Sequence, residues 1–234
     1  MLRYPTFVDQ WPRRERRILT VLLVALLGGF LLLSLVVALL PTSLVDLRFT
    51  EGFQERRNPG LDSFMKFVSW FGYYPQNLII VFGTALVFWL GRRRREAKFL
   101  VATLLALIPV FLMKLAFGRT RPRVELWEDF ESGTPYQSFP SGHVALYVVF
   151  FGFLAFLLYR LRTLPDFPRR SLAAFALLLI LLVPASRIYL GAHWFTDVMG
   201  GFVVGLLCLI GLCLWYLNTV HGDAEQGSVT RFFR

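Results

Sequence analysis

Six long apolar stretches constrain this chain more than any other feature of its sequence. They cover about residues 18–40, 74–90, 99–117, 143–159, 171–190 and 194–217. A helix needs about 20 apolar residues to cross the roughly 30 Å hydrocarbon core of a bilayer. Charged residues make up only 17% of the chain, whereas an ordinary soluble domain carries about 25%. We therefore predict an all-α integral membrane protein with six transmembrane helices in one bundle.

The first apolar stretch follows a cluster of arginines, as the core of a signal peptide would. It is longer than the usual core of about 7–15 residues. It continues into Leu39-Leu40-Pro41-Thr42-Ser43, which has no small-residue cleavage pattern. We interpret it as a retained span.

The chain has a net charge of +10, which is typical of a protein that binds either a nucleic acid or a membrane. Basic residues cluster in alternate connections, so all of these clusters fall on one side if the six stretches span. The positive-inside rule makes that side cytoplasmic. We predict cytoplasmic termini, a bacterial cytoplasmic membrane and no nucleic-acid partner. The clusters contain Arg13, Arg14, Arg16, Arg17, Arg92, Arg93, Arg94, Arg95, Lys98, Arg160, Arg162, Arg169, Arg170, Arg231 and Arg234.

Two smaller features complete the predicted layout. On the opposite side, residues 61–71 are amphipathic, which predicts a short interfacial helix after the first span. Cys208 and Cys213 lie five residues apart in one apolar stretch. This spacing fits neither a disulfide framework nor a metal site, so we expect packing residues.

Ionisable side chains gather at one end of the predicted bundle. Such groups cost about 2.5–3.5 kcal/mol at the bilayer centre and therefore need a reason to be there. Lys114, Arg187 and Asp197 each lie near the non-cytoplasmic end of a span, and His143 lies at the same end of another. Arg119, Arg121, Ser141, Ser186 and His193 are close to them in sequence.

The residues around the fourth span indicate an anion site. Ser141 can cap a helix whose first residues are Gly142 and His143, and a helix N-terminus attracts anions. An ordinary helix start is the simpler alternative. Lys114 and Arg121 can converge on a phosphate, or they can be a snorkelling lysine beside an arginine that binds lipid headgroups.

A histidine and a carboxylate begin the sixth span. His193 and Asp197 are four residues apart, which on a helix brings the imidazole within hydrogen-bond reach of the carboxylate. Arg187 can reach the same place across a tight turn at Gly191. A structural His–Asp pair is the alternative. Together, the start of the fourth span, the Lys114–Arg121 segment and the segment from Arg187 to Asp197 supply what phosphoryl transfer needs. These needs are positioned cations, a nucleophile and a general acid.

Three motifs occur in a characteristic order. They are Lys114-x6-Arg121-Pro122, Pro140-Ser141-Gly142-His143 and Ser186-Arg187-x5-His193-x3-Asp197. This set resembles the signature of the type 2 phosphatidic acid phosphatase superfamily, the lipid phosphate phosphatases. The resemblance covers about residues 61–205. We expect residues 1–234 to form a single membrane-embedded phosphatase domain with its site on the extracytoplasmic side.

The resemblance implies a role for each matching residue. His193 would attack phosphorus and form a phosphohistidine, Asp197 would orient His193, and His143 would protonate the leaving oxygen. The resemblance implies no metal, no cofactor and no obligate protein partner. It places the phosphate oxygens against Lys114, Arg121, Ser141, Gly142 and Arg187.

Several alternatives stay open at this point. The substrate can be phosphatidylglycerophosphate, undecaprenyl diphosphate or phosphatidic acid. The same histidines can serve a lipid-linked phosphotransferase with an acceptor other than water. A membrane transporter or channel would instead place its charges near the midplane of broken or repeated helices. Arg119 and Arg123 can contact a diphosphate or a lipid headgroup, or they can pair with Glu125, Glu128 or Asp129, and we expect the pairing.

Overall fold

The computed structural model describes residues 7–40, 42–122, 137–161 and 165–232. Within these ranges all regular secondary structure is helical, which confirms the predicted all-α class. Short 3-10 helices cover Phe7–Gln10 and Thr103–Ala106. The α-helices are α1 (Arg13–Leu39), α2 (Leu44–Gln54), α3 (Pro59–Trp70), α4 (Gln76–Leu90), α5 (Arg94–Ala102), α6 (Leu107–Phe117), α7 (Gly142–Arg160), α8 (Asp166–Tyr189) and α9 (Phe195–Phe232).

Five helical segments are long and apolar enough to cross a membrane. They are Arg13–Leu39, Arg94–Phe117, Gly142–Arg160, Asp166–Tyr189 and Phe195–His221. The predicted second span is α4, an apolar helix of 15 residues. At 1.5 Å per residue it is about 22 Å long, shorter than the bilayer core. The chain is thus a multi-pass membrane protein, and a sixth span at α4 stays a prediction.

The third predicted span changes its helical geometry before Pro109. The 3-10 helix Thr103–Ala106 separates α5 from α6, and Pro109 is the third residue of α6. A proline ring clashes with the carbonyl four residues earlier in an α-helix. That carbonyl belongs to Leu105, inside the 3-10 segment, which accommodates the ring. Pro184 lies inside α8 without interrupting it.

The segment after the first span forms two helices, where the sequence analysis predicted one. The predicted helix at residues 61–71 is α3, which Asn58 caps by accepting from the Leu61 N–H at 2.9 Å. A position for α3 at the membrane interface remains a prediction. The second helix, α2, begins with a capping box between Ser43 and Asp46. A Ser-x-x-Asp pattern is a known start signal that the sequence analysis missed.

The middle of the bundle is α7, which is apolar around its whole circumference and largely buried. It packs against α8 and α9. An all-round apolar helix must be covered on every side, either by protein or by lipid. By contrast, α1 buries only Phe30 and Val37 and leaves most of its other large apolar side chains exposed, as a lipid-facing helix does.

Two glycines let α9 approach α7 closely. A Cβ added to Gly201 would lie 2.4 Å from the Ser141 carbonyl oxygen. One added to Gly205 would lie 2.8 Å from the Val148 Cβ. The pair therefore serves helix packing within the chain, where small residues allow close contact.

We expect Gly201→Ala to destabilise the protein by about 1–3 kcal/mol, the usual cost of overpacking. The methyl group would meet backbone atoms, which cannot turn aside as a flexible side chain can. The midpoint of thermal unfolding in detergent measures the effect. Gly211→Ala in the same helix is the control, because its added Cβ meets nothing within 4 Å. Equal midpoints for the two variants would contradict this packing.

Candidate active site

Four helix ends meet where the sequence analysis placed the site. Lys114 lies in the last turn of α6 and Arg187 in the last turn of α8, while His143 and Asp197 lie in the first turns of α7 and α9. His193 lies in the turn between α8 and α9. The carbonyl of Arg187 holds this turn by accepting from the Ala192 and His193 N–H groups at 3.0 and 3.3 Å.

The start of α7 is joined directly to the start of α9. Ser141 is the N-cap residue of α7, and its N–H donates to the Asp197 carbonyl oxygen at 2.9 Å. Its hydroxyl makes no capping bond and is buried without a hydrogen-bond partner among the described residues. The first amides of a helix lack partners within the helix. The hydroxyl and the Gly142 amide are therefore suited to bind an anion.

The His193–Asp197 pair is close but differs from the prediction. The carboxylate Oδ2 lies 3.6 Å from the imidazole Nδ1, which is too long for a hydrogen bond. The helical spacing rule fails because α9 begins at Phe195, after the histidine. Oδ2 instead accepts from the Trp194 N–H at 2.8 Å. Catalytic hydrogen bonds are often long before substrate binds, and the carboxylate still faces Nδ1.

His193 is 2% exposed and surrounded by cations. Burial, together with the charges of Arg121, Lys114 and Arg187, holds the pKa of this imidazole well below its ordinary value. Both effects disfavour the charged ring. The ring is therefore neutral near pH 7. With Nδ1 directed at Asp197, the lone pair of Nε2 is the one suited to attack.

Arg187 is completely buried, and residues that the sequence analysis missed hold it in place. Its Nη1 donates to the Tyr73 hydroxyl at 2.9 Å and to the Ser69 Oγ at 3.3 Å. The guanidinium carbon lies 5.4 Å from the centre of the Tyr73 ring, within the range of a cation–π contact. Ser69 and Tyr73 lie in and just after the predicted amphipathic helix, whose periodicity does not indicate this contact.

The other two predicted cations are held by backbone carbonyl groups. Lys114 Nζ donates to the Gln137 carbonyl oxygen at 2.7 Å. Arg121 Nη1 donates to the Ala192 carbonyl oxygen at 3.4 Å, directly before His193 in the chain. The charges of Lys114, Arg121 and Arg187, which come from separate segments of the chain, all act on the His193 imidazole.

His143 packs against the turn that follows α3. Its ring lies edge-to-face with Tyr73 at a centroid distance of 4.9 Å. A Cβ added to Gly72 would lie 2.5 Å from His143 Cδ2, so only glycine fits there. His143 Nε2 is buried and has no hydrogen-bond partner in the described part of the chain. This ring nitrogen is positioned for a ligand atom.

Arg119 has buried partners that the sequence analysis did not propose. It is 4% exposed and forms ion pairs with Asp46 and Asp197 at 2.7 and 2.5 Å. Its predicted acidic partners, together with Arg123, lie outside the described residues. A buried guanidinium needs buried counter-charges, and Asp46 and Asp197 provide them.

A separate groove of about 480 Å³ opens between α2, α3 and the end of α8. Phe53, Met65 and Tyr189 are among its lining residues, as are Arg48 and Arg56. None of the predicted site residues lines it. Ligand pockets commonly enclose about 300–1,000 Å³, and the volume of this groove lies within that range.

No group of three or more potential His, Cys, Asp or Glu ligands gathers within the described residues. A reaction without a metal ion stays a prediction, which chelation tests. What the cluster offers chemically is a neutral buried imidazole, a carboxylate behind it, a second imidazole and three fixed cations.

A family model described as the PAP2 superfamily matches residues 95–220, more than half of the chain. The chain belongs to the PAP2 superfamily. The matched range contains every residue that the sequence analysis assigned to the site. Tyr73, Ser69 and Asp46 lie before it.

Two relatives of known name share part of this PAP2 sequence. YbjG of Escherichia coli (strain K12), named provisionally as an undecaprenyl-diphosphatase, is 31% identical over 137 residues. Phosphatidylglycerophosphatase B of Bacillus subtilis (strain 168) is 37% identical over 70 residues. The matches cover 56% and 30% of this chain, and they span 64% and 34% of the relatives' own lengths.

Two solved structures share the fold. The transmembrane PAP2-type phosphatidylglycerolphosphate phosphatase of Bacillus subtilis aligns with a TM-score of 0.64 at 25% identity, covering 87% of this chain and 96% of that one. Aquifex aeolicus LpxE aligns with a TM-score of 0.53 at 24% identity, covering 71% and 93%. Its likeness concerns the fold alone.

Proposed function

We propose that this PAP2 protein hydrolyses phosphate monoesters or diphosphates of membrane lipids through a phosphohistidine, without a metal ion. The observation that carries the proposal is the setting of His193. The imidazole is buried and neutral, Asp197 faces its Nδ1, and three cations surround it. A neutral nucleophile amid fixed positive charge suits an anionic electrophile, because the charges stabilise the phosphoryl group during transfer.

In the first step, His193 Nε2 attacks phosphorus and the bond from phosphorus to the ester oxygen breaks. The electron pair of that bond leaves with the oxygen, which takes a proton from the protonated form of His143. The products are an N-phosphorylated His193 and a lipid alcohol, or a lipid monophosphate when the substrate is a diphosphate. Asp197 stabilises the positive charge that the attacking imidazole acquires.

In the second step, water attacks the phosphorus of the phosphohistidine. His143, now neutral, accepts a proton from that water, and the nitrogen–phosphorus bond breaks. Inorganic phosphate leaves, and both histidines return to their starting states. In both steps Lys114, Arg121 and Arg187 hold the phosphate oxygens, together with the Ser141 hydroxyl and the Gly142 amide.

Phosphatidylglycerophosphate and undecaprenyl diphosphate are the substrates that the relatives' names support, and phosphatidic acid shares their chemistry. The basic clusters favour an orientation with cytoplasmic termini in a bacterial inner membrane. In that orientation the four helix ends of the site lie on the extracytoplasmic side. The enzyme would then act on lipids of the outer leaflet.

The test is release of inorganic phosphate from each of these lipids by the full-length protein purified in detergent. We expect turnover of at least one lipid, and we expect it to persist in excess chelator. Cations that crowd the site disfavour a divalent ion, so chelation should leave the rate within about twofold. A rate that falls in chelator and recovers when metal is added would contradict the metal-free mechanism. Failure to release phosphate from any of the lipids would contradict the function.

The phosphotransferase alternative uses the same first step and differs in the acceptor. A labelled lipid or sugar alcohol added to the assay separates the two reactions. Label in a phosphorylated acceptor, without matching free phosphate, would favour transfer. Free phosphate in proportion to substrate consumed would favour hydrolysis.

A further inference from the structure

We propose that Asp46 is a positioning residue for His193, acting through Arg119 and Asp197. The inference rests on the proposed phosphatase function but assigns a role to Asp46 and Arg119, which neither the three motifs nor the mechanism above uses. The geometry that carries it is a continuous buried chain of contacts. It runs from the start of α2 to the proposed nucleophile.

The first link joins Asp46 to Arg119. Asp46 is completely buried, although a capping carboxylate at a helix start needs no burial for that role. Its Oδ2 accepts from Arg119 Nη2 at 2.7 Å as well as from the Ser43 hydroxyl at 2.9 Å. A solvent-facing capping box is complete without a guanidinium. The ion pair is therefore an additional role for this side chain.

The second link joins Asp46 to the start of α9. Its Oδ1 accepts from the Thr196 N–H at 2.9 Å and from the Thr196 hydroxyl at 2.9 Å. The hydroxyl also accepts from Arg119 Nη1 at 2.7 Å. Thr196 immediately precedes Asp197, so α2 holds the backbone of the residue next to the proposed catalytic carboxylate.

The third link joins Arg119 to Asp197 and from there to His193. Arg119 Nη1 donates to Asp197 Oδ1 at 2.5 Å. This bond occupies one carboxylate oxygen and leaves Oδ2 directed at His193 Nδ1, 3.6 Å away. Arg119 at Oδ1 and the Trp194 N–H at Oδ2 together set the rotation of the carboxylate, and hence its aim at the imidazole.

Charge balance explains why two carboxylates share one guanidinium. An arginine paired with Asp197 alone would neutralise the carboxylate that has to stabilise a positively charged His193. A second buried carboxylate leaves the group of three with one net negative charge. Burial raises the pKa of Asp46, but the Thr196 hydrogen bond and the Arg119 charge outweigh burial and hold that pKa below its ordinary value. Asp46 is therefore ionised at neutral pH.

The test is Asp46→Asn in the full-length protein, with phosphate release and the state of His193 both measured. Asparagine keeps the size and an acceptor oxygen but removes the charge. We expect kcat to fall roughly tenfold to a hundredfold, the loss seen when a partner that orients a metal-binding histidine is removed. We expect KM to stay within about twofold, since phosphate contacts are untouched.

Nitrogen-15 NMR of histidine-labelled protein supplies the readout that a merely structural role would not move. The chain has three histidines, so the spectrum is simple, and substitution of His143 or His221 assigns it. In the unsubstituted protein we expect His193 to carry its proton on Nδ1. In Asp46→Asn we expect a mixture of the two tautomers, because Asp197 is less firmly aimed and less negative.

Asp62→Asn is the matched control. Asp62 also lies in the first turn of a short helix on the same side of the bundle, but its partners are Tyr189 and Arg57. The Asp62→Asn substitution should leave kcat and the nitrogen-15 spectrum of His193 unchanged. A second variant, Arg119→Lys, guards against misfolding of the first. Lysine keeps the charge but cannot bond both carboxylates through separate nitrogens of a planar fork. We expect it to lower kcat and shift the tautomer in the same way.

Each outcome decides the matter. A kcat of Asp46→Asn within about twofold of the unsubstituted protein would overturn the proposal. A lowered kcat with an unchanged His193 spectrum would assign Asp46 a structural role only. If the unsubstituted protein releases no phosphate from any lipid, the phosphatase function fails instead, and the NMR comparison alone then tests the positioning.

Discussion

His193→Ala should abolish phosphate release, lowering kcat on the order of 10⁴-fold or more while the protein still folds. Without the imidazole no covalent intermediate can form, and direct attack by water would lack a suitably placed base. The remaining cations would still bind the phosphate, so substrate affinity should change little. Phosphate release under saturating lipid, with the thermal unfolding midpoint measured in parallel, checks the expectation.

His221→Ala is the control for the loss of an imidazole. His221 lies in the C-terminal half of α9, far from the start of the helix, and its ring contacts Gln10. It belongs to neither the site nor the positioning chain. It should retain full turnover. Substantial turnover by His193→Ala would remove this residue as the nucleophile, whatever the control shows.

Replacement of Arg187 should give the next largest loss of catalytic efficiency. Arg187→Lys should lower kcat/KM roughly a hundredfold to a thousandfold, the range for removal of one fixed donor from a charge-stabilising site. Lysine keeps the positive charge but has no planar fork to hold both the phosphate and the Tyr73 hydroxyl. Kinetics with a lipid substrate, together with inhibition by inorganic phosphate, measure the effect.

Arg57→Lys is the matched control for this exchange. Arg57 also pairs with groups near α3, but it is partly exposed and contacts Asp62 at 3.4 Å. Surface ion pairs of this kind contribute about 0–1 kcal/mol to the free energy of unfolding, so the variant should retain both turnover and stability. If Arg187→Lys also keeps full activity, the buried guanidinium has no part in binding the phosphate.

The signature residues could be predicted because charge inside an apolar stretch is costly and therefore conspicuous. Lys114, Arg187 and Asp197 stand out for this reason, and the helix order alone brings their ends together. The lengths of apolar stretches predicted the bundle equally well. The exception is α4, where an apolar stretch of span-like composition gives a helix of only 15 residues.

The contacts made over long sequence separations could not be predicted in this way. Asp46 is 73 residues from Arg119 and 150 from Thr196, and no local pattern links them. Tyr73 follows an amphipathic segment whose periodicity explains its helix but not its contact with Arg187. The predicted His193–Asp197 hydrogen bond failed for a local reason, since the histidine lies before the helix begins.

The measurement that tests the central claim most directly is capture of the phosphoenzyme. Protein is mixed with a ³²P-labelled phosphate ester and quenched in alkali, in which phosphohistidine is stable, and the labelled peptide is then identified. An activated ester such as p-nitrophenyl phosphate, used with His143→Ala, should make the phosphoenzyme accumulate. Its leaving group needs no acid, so the phosphoenzyme still forms, whereas hydrolysis of the phosphoenzyme needs the base that the variant lacks. The account predicts acid-labile label on His193 and none in His193→Ala. Turnover without label on His193, or label on another residue, would contradict it.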